Sequence, residues 1–197
     1  MFREACIALD DPAAWRAALD GIQHAFAHTW ESCYAMHLTT GCHTYLYRLE
    51  TETARIVCPV AERPIGRWCD IANPYGLAGF VGSGACAEFP AHWQRFVRRQ
   101  GYICGYMGLN PVFTDERYLD QAALYQSNAV YVIDLTRSHA ELYDRLAKSR
   151  RAQLRDWPQL KENIVLDKAV VTAFFLERYR GFFAEKRAST VYHFAEE

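Results

Sequence analysis

Apolar and polar positions change period several times along this chain, and each change marks an element. Trp15, Ala18, Leu19 and Ile22 fall at helical spacing behind Asp10-Asp11-Pro12, an acidic start with proline in the first turn, so a helix is predicted over 12–27. Thr29 and the run 31–38 predict a second helix, ending near Gly41. The pattern then turns to β. HTYLYRLETETARIVCPVAERPI (43–65) is rich in Thr, Tyr, Val and Ile around a polar centre at 50–53, which reads as a hairpin. Residues 70–84 hold four glycines and a proline with no sustained period, and read as loop. Phe89, Trp93, Phe96 and Val97 mark one face of a helix over 89–100, which Gly101 can end. YICGYMGL (102–109) reads as a short strand stopped by Asn110-Pro111.

The second half is less regular. Residues 114–128 are polar and fit no period, whereas AVYVIDL (129–135) carries a strand signature. Ser138 with Glu141 three residues on predicts a capped helix over 139–157, closely followed by Pro158. A short strand at 164–166, a helix over 170–186 and the start of a strand at STVYHF (189–194) complete the pattern. A strand with so little chain after it has few partners. This ending is the one expected of a truncated chain or of a product lacking a second half, and an unpaired strand there would favour a homodimer.

Composition narrows the class. With 51% hydrophobic and 23% charged residues over 197 positions, there is apolar mass for one sizeable core. The formal charge of −1 offers no global attraction to DNA or anionic membrane. No window approaches the roughly 20 apolar residues of a membrane span, and the N-terminus shows no signal-peptide pattern, so a cytoplasmic protein is expected. Seven cysteines, an odd number without C-x-x-C spacing, read as reduced and mostly buried thiols.

Local chemistry is sparse. His24 and His28 stand four apart at the end of the predicted first helix, but no cysteine pairing completes a zinc site, and no bound metal is expected. There is no G-x-S-x-G nucleophile elbow and no Walker A loop. Gly76, Gly79, Gly82 and Gly84 punctuate a loop that serves either as connector or as a place where backbone amides approach a ligand. In RLAKSRRAQLRDW, Arg150 and Arg151 belong either to a solvated helix face or to a site for phosphate or carboxylate.

The order of the segments adds to this. FAHTWESCYAM precedes the hairpin ending VCPVAERPI. DIANPYGLAG, FVRRQGYICGYMGLNPVF, YVIDLTRSHAELYDRLAKSRRAQLRDW and FFLERYRGFFAEKRASTVYHF follow in turn. From about Phe26 onward this succession resembles the FemAB-like, peptidoglycan-bridge-type aminoacyltransferase branch of the GNAT acyltransferase superfamily. Departures are Gly108 and Asn110, where an Arg and a His are usual before Pro111, Phe80 where Pro often follows the glycine, and Phe183 in place of a frequent Met.

The resemblance implies an α+β fold: a GNAT-like domain with a mixed, mostly antiparallel sheet flanked by helices, plus the start of a second such domain. The division expected is 1–137, a connecting basic helix at 138–160, and a partial second domain at 161–197. The implied activity is acyl or aminoacyl transfer forming an amide on a cell-envelope precursor or surface-polysaccharide-related acceptor. Aminoacyl-tRNA or acyl-coenzyme A would be the donor co-substrate, with no tightly bound cofactor. On this reading Asn73, Tyr75, Gly76 and Gly79 shape the acceptor pocket, Arg151 with Arg150 binds an anionic group, and Tyr179 handles a proton across the cleft. Asp70 is the candidate base, although a carboxylate capping its own loop is the stronger reading of that residue. The alternatives are a non-catalytic GNAT-like binding or assembly module, and an acetyl-coenzyme A-dependent N-acetyltransferase.

Overall fold

The hairpin read from 43–65 forms the middle of a mixed sheet in a computed structural model that describes residues 2–126 and 129–189. In chain order the elements are β1 (Arg3–Ala8), α1 (Pro12–Leu19), α2 (Trp30–Thr40), β2 (Thr44–Glu50), β3 (Arg55–Ile65), β4 (Trp68–Ala72), β5 (Val81–Ser83), α3 (Phe89–Arg99) and β6 (Gly105–Tyr106). The sheet order is β1-β2-β3-β4-β6, with β5 also pairing β3. All pairs are antiparallel except β4 with β6, which α3 links as a parallel crossover. The fold is therefore α+β with helices on a mixed sheet.

Period-two alternation sends side chains to two different cores. Tyr45, Tyr47 and Leu49 of β2 join Ile56, Cys58 and Val60 of β3 and Ile71 of β4 under Phe89 and Phe96 of α3. Leu46, Val57, Val81 and Ile7 face the other way, against Trp15, Ala18 and Leu19 of α1 and Cys33 of α2. The register Thr44↔Ala61 through Glu50↔Arg55 keeps both sets aligned.

Several elements differ from the sequence pattern. β1 was not anticipated. α1 ends at Leu19 rather than near 27, because the Arg55 guanidinium bonds the carbonyls of Ala17 and Asp20 and Gly21 turns the chain at φ 71°. α2 ends as expected at Gly41, which takes the left-handed conformation glycine tolerates.

A second unit begins beyond residue 126 and includes 129–137. Its helices are α4 (His139–Asp144), α5 (Lys148–Gln153), α6 (Trp157–Leu160) and α7 (Lys168–Glu185). The Ser138/Glu141 capping box is present, but the helix expected over 139–157 is three short ones, with Pro158 opening the last instead of ending the first. Neither 129–135 nor 164–166 is a strand. Val130, Tyr131, Val132, Ile133 and Leu135 are exposed, and strand propensity without a partner makes no sheet. From residue 190 the strand read at 189–194 lies outside the described residues. No described helix is long and apolar enough to cross a membrane.

Candidate functional site

The loop after β4 is fixed from within. Asn73 donates from Nδ2 to the Pro59 carbonyl at 2.8 Å, and its Oδ1 accepts from the Gly79 amide at 3.3 Å. Asn73 thus staples both ends of the loop, and the Gly79 amide is used internally instead of facing a ligand. Asn110 ties the next turn to this one: Nδ2 donates to the Leu77 carbonyl at 3.1 Å while Oδ1 accepts from Val112 and Phe113. A parallel bridge joins Ala78 to Leu109. The two turns pack closely, since a Cβ on Gly108 would lie 3.1 Å from the Gly76 carbonyl oxygen. Gly76 and Gly79 have φ of 72° and 69°, and each is a backbone requirement of the turn. What remains outward is Tyr75 and Leu77, both partly exposed.

Asp70 is not placed as a base. Its carboxylate accepts two hydrogen bonds from Arg63, at 2.8 and 2.7 Å, across the β3–β4 pair. Those bonds hold its pKa below the ordinary carboxylate value. It pairs with a neighbouring strand and does not cap its loop. The remaining expected residues lie in the second unit. Arg150 is exposed on α5 and bonds Gln153, Arg151 beside it is half-buried, and Tyr179 is buried on α7 against Phe175, with ring centroids 4.8 Å apart.

The later glycines have a packing role. A Cβ on Gly84 would come within 1.9 Å of the Thr53 carbonyl, and one on Gly82 within 2.5 Å of that of Arg55. They let β5 lie against β3. The carboxylate-bearing Glu88 occupies the N-cap position of α3, which disfavours an anion there.

His24 and His28 do not share a helix, since α1 has already ended. Each ring contacts a nearby carbonyl, Ile22 for His24 and Ala25 for His28. His28 is fully buried beside the backbone of Ala78 and Gly79, its Nε2 has no hydrogen-bond partner, and burial lowers its pKa to about 4. No group of three potential ligands gathers for a metal among the described residues. Cys58 is fully buried, which raises its thiol pKa to about 12 and makes it a packing residue instead of a nucleophile, while partial desolvation beside Glu4 and Glu62 raises that of the exposed Cys6 to about 11.

A constellation that the sequence reading did not single out lies on the neighbouring strands, where Glu62 of β3 stands in register with Ile71 of β4. Register places His43, just ahead of β2, opposite Glu62, whose amide donates to the His43 carbonyl at 2.8 Å. The His43 Nδ1 lies 3.0 Å from Glu62 Oε2, and Glu62 Oε1 accepts from the Tyr102 hydroxyl. Tyr102 is in turn 3.0 Å from the hydroxyl of buried Tyr45. Burial raises both phenol pKa values, so they stay protonated donors. The chain runs from the core to a cleft of about 330 Å³ lined by Thr40, Gly41, Cys42, His43, Glu62, Pro64 and Cys69. The signal in the sequence was the hairpin itself, because fixing its turn at 51–54 sets His43 against Glu62.

Comparison with protein-family models, characterised proteins and solved structures found no match.

Proposed function

We propose that the chain transfers an acyl or aminoacyl group to an amine, forming an amide, as its resemblance to the FemAB-like branch of the GNAT superfamily implies. The observation that carries this reading is the docking of two segments on which the resemblance rests. Loop 73–79 and the turn at 108–113 are stapled together by Asn110 and the Ala78–Leu109 bridge, beside the parallel pair β4 and β6. That arrangement leaves Tyr75 on an outward rim with a rigid base, which suits a wall for an acceptor. Amide formation by direct attack needs an amine held near an activated carbonyl, and no covalent enzyme intermediate.

The acceptor proposed is a cell-envelope precursor or a related amine, and the donor is aminoacyl-tRNA or acyl-coenzyme A. An acetyl-coenzyme A enzyme with a pyrophosphate loop before α3 has less support, because Gly82 and Gly84 pack against β3 and Glu88 stands at the helix start.

The test is transfer of labelled amino acid from charged tRNA, or labelled acetyl from acetyl-coenzyme A, to a panel of amines. Saturable transfer is expected, with Tyr75→Ala raising the acceptor KM at least about fivefold and leaving the thermal midpoint within about 2 °C, since the ring is partly exposed. Binding of an amine without transfer from either donor would favour the non-catalytic module instead.

A further inference from the structure

The direct-attack reading requires a base, and Asp70 is bound to Arg63. One residue earlier, on the other face of β3, Glu62 receives two donors, Tyr102 on one oxygen and His43 on the other. A carboxylate only accepts, so the hydrogen bond places the proton of the neutral imidazole on Nδ1 and leaves the Nε2 lone pair without it. The His43 side chain is 66% exposed where Glu62 is 29% exposed, so the chain of donors starts in the core and ends at an accessible ring. Tyr45 and Tyr102 lock the carboxylate from behind.

We propose that His43 is the general base of an acid–base site in this cleft, with Glu62 as its positioning residue and a neutral primary amine as the nucleophile it serves. The choice of amine rests on the acyl-transfer reading; the assignment of the base rests on the His43–Glu62–Tyr102–Tyr45 geometry. As the amine nitrogen bonds to the acyl carbon, one of its protons passes to Nε2. The carbon–oxygen bond of an ester donor, or the carbon–sulfur bond of a thioester, then breaks with its electron pair on the leaving atom, which takes that proton back. Cys69, lining the cleft, and Asn73 are four residues apart along and just beyond β4, roughly 13 Å at strand rise. An acceptor that uses both the cleft and the Tyr75 rim is therefore extended.

Two measurements on the full chain test this. In the transfer assay, His43→Gln is expected to lower kcat about a hundredfold or more with acceptor KM within about twofold, and Glu62→Gln to lower kcat about tenfold. Long-range proton–nitrogen spectra of histidine-labelled protein are expected to show the neutral His43 ring protonated at Nδ1, and a mixture of tautomers in Glu62→Gln. A ring protonated mainly at Nε2 in the wild type, or wild-type transfer rates in His43→Gln, would overturn the assignment. Absence of transfer by the wild type, with the ring still held at Nδ1, sinks the acyl-transfer reading alone and leaves His43 supported as an oriented proton acceptor.

Discussion

An imidazole buried with one nitrogen unpartnered resists protonation, and His28 is such a group. Its folded pKa of about 4 lies below the ordinary 6.5, with burial as the main cause. Between those values the unfolded chain binds more protons than the folded one, so stability is full above pH 6.5 and declines as pH falls toward 4. The integrated loss is about 2 to 3 kcal/mol by pH 4.5. Denaturant unfolding of the wild type and His28→Leu at pH 7 and 4.5 checks this: the wild type is expected to lose more stability by about that amount, and equal losses would count against it. The four-residue spacing of His24 and His28 was legible in the sequence, but their separation from any common helix was not, because it depends on Arg55 reaching from β3 to cap α1.

At the scale of elements, the glycines sort by what surrounds them. Gly84 combines φ 77° with backbone at 1.9 Å from an added Cβ, whereas Gly101 has φ 75° and nothing within 4 Å. Gly101→Ala should therefore cost about 1 kcal/mol from backbone conformation alone. Gly84→Ala should cost at least about 3 kcal/mol or prevent folding, since β5 would have to leave β3. Urea unfolding of both variants gives the comparison, and similar losses would contradict the close approach. The hairpin, α2 with its Gly41 stop, and α3 were readable because each has local period and punctuation. β1 was not, because its six residues acquire a face only by pairing with β2. The segment 129–135 failed in the opposite sense: its residues favour a strand, but a strand needs a neighbour.

For the whole molecule, the α+β class was legible from the succession of patterns and the helix-flanked mixed sheet from the resemblance, while the parallel β4–β6 pairing, the break after residue 126 and the His43 cleft depend on contacts between distant segments. Of the expected site residues, Tyr75 is exposed on the loop that Asn73, Gly76 and Gly79 shape, and Asp70 is paired with Arg63. The span 70–84 read as loop, but 70–72 belong to β4 and 81–83 form β5, leaving a shorter loop between them; which of its side chains face outward emerged only after Asn73 and Asn110 had been given their backbone partners. The central claim is amide formation by direct attack, and the fate of the labelled acyl group tests it most directly. After incubation with labelled charged tRNA or acetyl-coenzyme A, with and without an amine, the account expects label in the acceptor amide and none retained on the denatured protein. Label held on a cysteine, or no transfer to any amine, would contradict it.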